Sequence, residues 1–254
     1  EIIPCPNFID IFKAIKKEPE VVGIMAIENT IAGSLLQNHN LLRESGCTVI
    51  GEHKLRIEHN LAVLPGQKIE DIDEVYSHPI ALMQCEDFLD GHRHIKAIES
   101  EDTALSAKDI ADNKLTRRGA ICSALAAEKY GLEIIAKGIE TNKRNFTRFL
   151  IIAEPKLAEE LTKGVVLNKS SLVFTLPHEE GSLAKVLSIL SFYHVNLTKI
   201  QSLPIIGEEW KYQFYINLTF SDYTRYRQSL EAIIPLTKDF QILGEYKEAA
   251  TPVA

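Results

Sequence analysis

Hydrophobic positions in the first 153 residues alternate between helical and strand spacing. Apolar residues recur as on one face of a helix between Ile9 and Ile15, whereas 21–27 is a continuous apolar run typical of a buried strand. Similar patterns predict extended stretches at 48–51, 54–64, 74–76, 95–98, 119–121, 133–136 and 145–153, and helices that follow Gly33 or begin at Pro79, Asp102 and Ser123. Strands that alternate with helices predict mostly parallel sheets covered on both faces.

The pattern changes after a polar segment at 154–169, which we interpret as a linker. Beyond it the spacing predicts strand 171–176, helix 182–193, strands 196–204 and 211–220, helix 223–234 and strand 240–246. The order βαββαβ is typical of a ferredoxin-like unit, in which helices cover one face of an antiparallel sheet. We therefore expect a separate small domain at this end of the chain.

The pattern of the first 153 residues predicts two α/β lobes. The extended passage at 54–64 and the return of the chain after 136 favour two segments that cross between lobes, and a cleft between lobes is a common ligand site. The opening residues, 1–5, look like a strand already under way. We therefore expect the start of the first domain to be missing from this chain.

Charge and composition exclude several classes of protein. The 254 residues carry 28 basic and 35 acidic side chains, and the net charge of −7 argues against a sequence-independent nucleic-acid binder. No apolar run approaches the length that spans a bilayer. Widely spaced cysteines are typical of reduced thiols in a cytoplasmic protein and argue against structural zinc; they are Cys5, Cys47, Cys85 and Cys122.

Candidate chemistry in the C-terminal region centres on the turn before its first helix. Gly181 lies at the helix start, where backbone N–H groups favour a carboxylate and glycine allows close approach, although it could equally be a plain turn residue. The run 178–187, followed by 194–200, resembles the ACT domain, a small regulatory module of amino-acid metabolism. The resemblance implies an effector amino acid held near Gly181, Ser182, Leu183, Ala184, Asn196, Gln201 and Ser202.

Polar residues at the end of the strand at 21–27 suggest a second site. Glu28, Asn29 and Thr30 stand where α/β proteins bind ligands, although Asn29 or Thr30 could instead cap the next helix.

A further group surrounds the helix that begins at Pro79. Ser77 or His78 is expected at its cap position. Ser77 and Gln84 are seven residues apart, so we expect them to share one helix face, with Gln84 reaching back towards the helix start.

The last group lies in the strand at 145–153. In a regular strand Thr147 and Phe149 share one face and Arg148 takes the other. Thr147 is then expected to face the cleft while Arg148 anchors the lobe, although a threonine in a strand is usually just a good strand former.

Three runs together, 26–35, 75–85 and 145–150, resemble prephenate dehydratase, which makes phenylpyruvate in phenylalanine biosynthesis. The resemblance implies an α/β fold with a two-lobed, periplasmic-binding-protein-like catalytic domain at 1–155 and a ferredoxin-like ACT domain at 168–248.

The chain departs from this family at two places. The family begins with a strand and a Gly-Ser-containing turn into a helix, and this chain starts after them. The family's effector motif Glu-Ser-Arg-Pro reads Gln201-Ser202-Leu203-Pro204, so we expect phenylalanine binding to be weakened or lost.

The resemblance implies decarboxylating dehydration of prephenate, a carbon–oxygen lyase reaction driven by aromatisation without a cofactor or metal. Thr147 would donate a hydrogen bond to the leaving hydroxyl, with Glu28 or water behind it and Asn29 beside it. The substrate would contact Thr30, Ser77, Gln84, Arg148 and Phe149. A cation for the pyruvyl carboxylate would come from Arg148, Lys143 or Arg144.

Two alternatives stay open at this point. Arogenate differs from prephenate at the pyruvyl arm, and the sequence does not separate the two substrates. A two-lobed unit with an ACT module could also be a ligand sensor without chemistry. The resemblance further implies phenylalanine as an effector and a homodimer or homotetramer, with no nucleic-acid or membrane partner.

Overall fold

The computed structural model describes residues 1–205, 207, 208 and 211–250 and divides the chain into two compact units. Unit 1 holds Glu1–Asn29, Gly33–Lys54 and the described residues 148–250, and unit 2 holds Thr30–Ala32 and Leu55–Thr147. Unit 1 thus contains parts of both predicted domains. The predicted domain boundaries stay a prediction.

The strands, in chain order, are β1 Gly23–Asn29, β2 Gly33–Ser34, β3 Thr48–Arg56, β4 Asn60–Val63, β5 Glu74–Ser77, β6 Lys96–Glu99, β7 Arg118–Cys122, β8 Glu133–Ala136, β9 Phe146–Ala153, β10 Lys169–Thr175, β11 Asn196–Pro204, β12 Tyr212–Thr219 and β13 Lys238–Tyr246. The helices are α1 Phe8–Lys17, α2 Leu36–Ser45, α3 Pro79–Gln84, α4 Glu86–Gly91, α5 Thr103–Asp112, α6 Ala124–Lys129, α7 Pro155–Thr162, α8 Ser182–Phe192 and α9 Tyr223–Ile233.

Most of these elements follow the predicted pattern, but the segment 154–169, expected to be a linker, contains the helix α7, and the chain start differs. Residues 1–5 form no strand. Pro4 and Pro6 lack the N–H that a ladder needs, and Ile2 is 91% exposed. Elsewhere the predicted helix starts are confirmed: the side chains of Asp102 and Ser123 accept hydrogen bonds from the first turns of α5 and α6.

Unit 1 contains two four-stranded sheets, with the orders β2-β1-β9-β3 and β11-β12-β10-β13. The second sheet is antiparallel through its length, and with α8 and α9 it forms the βαββαβ unit that the sequence predicts; we call it the C-terminal module. Alternate residues of β10 lie in different cores. Leu172 and Phe174 pack with residues of α8 and α9, whereas Val173 packs with Met25 and Ile152 of the first sheet.

The two sheets of unit 1 approach closely at Gly244 on β13. A Cβ built on Gly244 would lie 2.1 Å from the carbonyl oxygen of Val49 on β3. Any side chain there would collide with backbone, so this approach requires glycine.

Unit 2 is built on one five-stranded sheet, β6-β5-β7-β4-β8. β5 runs parallel to β6 and β7, but β4 runs antiparallel to both β7 and β8. The prediction of mostly parallel sheets is therefore wrong for the pairings of β4. Helical crossovers link β5 to β8 in turn and bring each strand back in the same direction, whereas β4 follows β3 without a helix.

Both faces of this sheet are covered, as predicted. Leu61 and Val63 of β4 belong to one buried cluster, and Ala62 between them belongs to another that includes residues of α5 and α6. This alternation is the period of a strand buried on two sides.

Candidate active site

The chain turns back after Glu28 instead of entering a helix. β1 pairs antiparallel with β2, with Asn29 opposite Gly33, and Gly33 takes a φ of 83°, a conformation that favours glycine. The N-cap of α2 is Leu35. The alternative in which Asn29 or Thr30 caps this helix is therefore wrong, because Asn29 is the last residue of β1 and Thr30 begins the turn to β2.

In unit 2, Thr30 fixes the backbone immediately before Thr147. Its hydroxyl donates to the carbonyl oxygen of Arg144 at 2.9 Å and accepts from the N–H of Phe146 at 2.9 Å. Its own N–H donates to the carbonyl oxygen of Phe146 at 2.9 Å. Three hydrogen bonds from one exposed threonine thus hold the segment that leads to Thr147, which is itself half-buried.

A neutral network in unit 2 holds the same segment from its side chains. The Nδ2 of Asn145 donates to the Oε1 of Gln84 at 2.8 Å, and the same oxygen lies 2.8 Å from the Nε2 of His59. An amide oxygen accepts, so the Nε2 of His59 is the donor of this hydrogen bond. All three residues are buried. We call His59, Gln84 and Asn145 the amide network.

Ser77 differs from its predicted setting. It is the last residue of β5, opposite Glu99 of β6, and its buried hydroxyl donates to the carbonyl oxygen of Ile121 at 2.6 Å. The side chain of His78 accepts from the N–H of Ile80 and caps α3. The expectation that Ser77 shares a helix face with Gln84 is therefore wrong, because Ser77 completes the strand ladder before the helix begins.

The strand β9 alternates as predicted. Arg148, Leu150 and Ile152 are buried on one face, and Thr147 and Phe149 are half-buried on the other. The predicted substrate contacts of these residues stay predictions.

Unit 1 carries a group of charges around Arg148, of which Arg148, Glu52 and Lys169 are buried. The group, which we call the charge network, comprises Glu28, Glu52, Glu248, Arg148, Lys169 and Lys199, and Lys54 lies 3.9 Å from Glu248 at its edge. The Nη1 of Arg148 lies 2.7 Å from the Oε1 of Glu28. Its Nε lies 2.9 Å from the Oε2 of Glu52, an ion pair whose angle falls short of hydrogen-bond geometry. Every charge of the network thus has at least one partner of opposite sign.

The two lysines connect this network to the C-terminal module. Lys169 of β10 lies 2.9 Å from Glu52 and 3.1 Å from Glu248. Lys199 of β11 pairs with the Oε2 of Glu28 and donates to the hydroxyl of Ser34 at 2.7 Å. Two acids at the first sheet are therefore neutralised in part by bases of the second sheet.

The network keeps Glu28 ionised. Burial alone would raise the pKa of Glu28, but Arg148 and Lys199 outweigh burial and hold this pKa below its ordinary value. Burial likewise opposes the charge of Arg148, yet its pKa is raised because Tyr246, Glu28 and Glu52 surround it. A carboxylate in this state has no proton to give near neutral pH.

The predicted effector residues divide between a helix start and a strand. Gly181, at the N-cap of α8, has a φ of 75°, and the hydroxyl of Ser182 donates to the carbonyl oxygen of Glu179 at 2.9 Å. A cavity of about 290 Å³ adjoins this turn. Its lining includes Ser182 and Leu183 together with Tyr212, Phe214 and Lys238.

The other predicted effector residues do not line this cavity. Ala184 is exposed on α8, and the Nδ2 of Asn196 donates to the Oγ1 of Thr219 at 3.3 Å. The Nε2 of Gln201 donates to the carbonyl oxygen of Ser202 at 3.0 Å. Leu203 is 5% exposed and belongs to the core of unit 1.

Four free cysteines are present, of which Cys85 and Cys122 are buried. Burial raises the pKa of Cys85 to about 12 and that of Cys122 to about 11, so both stay thiols. Within the described ranges, no group of three or more His, Cys, Asp or Glu could hold a metal ion. Among the same residues no helix has the length and apolar character needed to cross a membrane.

Several polar partners escape detection from the sequence. His59, Asn145, Glu52, Lys169 and Lys199 hold the predicted residues in place. His59, Glu52 and Lys169 lie outside the runs that carry the resemblance, and Asn145 and Lys199 lie within such runs without a predicted role. For His59, Asn145 and Lys169 one available signal was a position at the start of a strand beside an apolar run, where an isolated charge or amide needs a buried partner.

Similarity to known proteins agrees with this architecture. Residues 1–157 match the family model described as prephenate dehydratase, and the chain belongs to that family.

Two relatives illustrate the range of named activities. Arogenate dehydratase 5, chloroplastic, of Arabidopsis thaliana is 34% identical over 270 residues, which cover 99% of this chain and 63% of the relative. The bifunctional chorismate mutase/prephenate dehydratase of Aquifex aeolicus (strain VF5) is 32% identical over 248 residues, which cover 97% of this chain and 66% of the relative. The chain thus spans a little less than two thirds of the length of these relatives.

Solved structures share the fold. Prephenate dehydratase from Arthrobacter aurescens in complex with L-Phe matches with a TM-score of 0.81 and 25% identity, over 96% of this chain and 80% of that one. A protein described as GqqA, a quorum quenching acylase, matches with a TM-score of 0.84 and 27% identity, over 97% of this chain and 89% of that one.

Proposed function

We propose that the protein removes water and carbon dioxide from prephenate to form phenylpyruvate. Family membership supports the reaction, and the observation that carries the assignment of the site is the anchoring of 144–146 by Thr30 and by the amide network. Such anchoring presents the next side chain, Thr147, in one position. Positioning of this kind is a main source of rate in a reaction that needs little covalent chemistry.

We assign Thr147 the role of hydrogen-bond donor to the leaving hydroxyl of the substrate. A threonine hydroxyl donates a hydrogen bond but is a weak acid, so it orients the leaving group while water carries the proton. The sequence-based suggestion that Glu28 supplies this proton does not fit its lowered pKa. We therefore assign Glu28 a supporting role as an ionised partner of Arg148.

Arg144 is assigned to the carboxylate of the pyruvyl arm. Of the three candidate cations, Arg148 is held by Glu28 and Glu52. Lys143 donates to the carbonyl oxygens of Gly138 and Glu140. The side chain of Arg144 is exposed and makes no ion pair with a described residue, while its backbone is tied to Thr30.

Charge also favours prephenate over arogenate. Arogenate carries an ammonium group on the arm, which needs an acceptor, whereas prephenate carries a keto group there. The acid in the segment 140–147 is Glu140, whose side chain is fully buried and already pairs with Arg56 and the N–H of His59. Lys143 and Arg144 give the same segment a positive balance.

Activity assays with both substrates test the reaction. We expect phenylpyruvate from prephenate and a much lower kcat/KM for arogenate. Thr147→Ala should lower kcat by about 10²- to 10⁴-fold, the usual contribution of a positioned proton donor, whereas Thr147→Ser should retain activity. Near-normal turnover in folded Thr147→Ala would remove this residue from the mechanism. If the chain turns over neither substrate yet binds prephenate, the sensor alternative becomes the better proposal.

Substitution of Arg144 tests the carboxylate contact. Arg144→Met should raise KM by about 10- to 100-fold, as expected for losing a hydrogen bond between charged groups. Arg93→Met, which removes an equally exposed arginine of unit 2, is the matched control and should leave KM unchanged. Equal KM values in the two variants would refute the assignment of Arg144.

Regulation by an aromatic amino acid forms the second part of the proposal. The relative solved with L-Phe supports phenylalanine as the effector, and the cavity beside Ser182 offers apolar and aromatic walls. Calorimetry with phenylalanine, tyrosine and tryptophan measures binding directly. Ser182→Trp should abolish any heat by filling the cavity, whereas Ser188→Trp, exposed on the same helix, should not. No heat with any of the three would refute this part.

Location and assembly complete the proposal. We assign the protein to the cytoplasm, since its cysteines are free thiols, and expect a homodimer or homotetramer. Analytical ultracentrifugation measures the assembly, and a monomer at micromolar concentration would refute it.

A further inference from the structure

Lys199 contacts both β1 and β2, the two strands that the turn at 30–32 connects. Its Nζ pairs with Glu28, the residue before Asn29 on β1, and donates to Ser34 on β2 at 2.7 Å. Glu28 and Ser34 face each other in the antiparallel ladder. One ammonium group therefore links the two strands next to the turn, and it comes from a strand more than 160 residues further along the chain.

Glu28 is shared between Lys199 and the residue that follows Thr147. One carboxylate oxygen accepts from Arg148 at 2.7 Å, and the other pairs with Lys199. The side chains of Arg148 and Lys199 are 9% and 11% exposed, so water replaces little of this interaction. The position of Glu28 thus depends on both cations.

Lys199 also belongs to the strand that carries three predicted effector residues, Asn196, Gln201 and Ser202. Side chains alternate along β11, so Lys199 lies on the same face as Gln201 and Leu203. Leu203 packs in the core that includes Met25 and Ile27 of β1. A displacement of β11 would therefore move Glu28, because Lys199 pairs with this carboxylate and Leu203 packs against the same strand.

We infer that Lys199 is a positioning residue of the dehydratase reaction, through which the C-terminal module fixes Glu28 and, by way of Glu28, Asn29 and Arg148. The inference rests on the function proposed above. Lys199 acts on the substrate through these residues and takes no part in the chemistry. Misplacement of catalytic groups by about 1 Å typically costs about 100-fold in rate, so loss of Lys199 should act on kcat.

Kinetics of Lys199→Met, Lys199→Arg and Lys13→Met test the inference. Lys199→Met should lower kcat by about 10- to 100-fold with KM nearly unchanged. Lys199→Arg keeps the charge and the donors, and it should restore most of the loss. Lys13→Met removes an exposed ion pair with Asp10 and should leave both constants unchanged. A wild-type kcat in folded Lys199→Met, or no rescue by arginine, would overturn the inference.

Two further measurements separate positioning from general stability and from failure of the proposed function. If Lys199→Met does not fold, Ser34→Ala removes the second partner of Lys199, and an unchanged kcat there would overturn the inference. Hydrogen exchange of peptides covering 23–35 needs no substrate, and it should be faster in Lys199→Met than in Lys13→Met. If the wild-type chain is inert towards both substrates, the proposed function fails, whereas unchanged exchange at 23–35 rejects the role of Lys199.

Discussion

The charge network of unit 1 and the amide network of unit 2 hold neighbouring stretches of chain by different means. The charge network fixes Arg148 with full charges, and the amide network fixes Asn145 with neutral hydrogen bonds. The three residues of the amide network are buried, as are Arg148, Glu52 and Lys169 of the charge network. Buried charges are stable together because each is neutralised, and loss of one partner leaves another uncompensated. Loss of a neutral partner costs a hydrogen bond and some desolvation.

The largest loss of stability is expected when Glu52 is removed. Its side chain is fully buried between Arg148 and Lys169. Glu52→Ala should lower the free energy of unfolding by about 3–5 kcal/mol, because two cations lose a shared partner. Glu58→Ala, at an exposed pair with Arg56, should cost less than about 1 kcal/mol. Urea unfolding measures both, and equal losses would contradict the distinction.

Acid should also weaken unit 1 through His39. Burial lowers the pKa of this histidine to about 4 from 6.5, and its ring packs on Tyr215 and contacts the carbonyl oxygen of Leu35. The unfolded chain therefore takes up a proton before the folded one does, so stability present above pH 6.5 is lost as the pH falls towards 4. The loss should approach about 3 kcal/mol, since one pKa unit is about 1.4 kcal/mol. In His39→Asn the free energy of unfolding, measured by urea at several pH values between 4 and 6.5, should depend less on pH than in the wild type. An unchanged dependence on pH would contradict the assignment.

A smaller loss is expected when the amide network is broken. Gln84→Ala leaves the Nδ2 of Asn145 and the ring of His59 without their shared acceptor. The free energy of unfolding should fall by about 1–3 kcal/mol, with a fall in kcat because the segment before Thr147 loses its anchor. Met83→Ala, exposed on the same helix, serves as control. A loss of stability as large as that of Glu52→Ala would show that charge is not what sets the two networks apart.

The smallest effect is expected at an exposed pair with equally short contacts. Arg117 lies 2.6 Å from Asp73 through two nitrogens, yet both side chains are more than half exposed. Arg117→Lys should change stability by less than about 1 kcal/mol, because water replaces the lost contact. Thermal unfolding checks this expectation. A large loss would mean that distance, and not burial, determines the strength of ion pairs in this protein.

The sequence predicts elements and faces far better than it predicts partners. Apolar spacing correctly gives the alternation of β9 and the βαββαβ order of the C-terminal module, because these patterns are local. The pair of Glu28 and Lys199 joins residues 171 positions apart, and no periodicity records such a contact. Ser77 shows the same limit at short range. Pro79 predicts the start of α3, but the pairing of Ser77 with Glu99 determines that β5 continues as far as Ser77.

The close approach at Gly244 bears on how the chain is made. Unit 2 lies mostly in one continuous segment, Leu55–Thr147, so all five strands of its sheet leave the ribosome together. The first 54 residues must wait for β9 and then for β10 to β13 before their core is complete. Gly244 meets Val49 only after 195 further residues have been added. Until then the apolar faces of β1 and β3 stay open in the nascent chain, which makes them the places where misassembly begins.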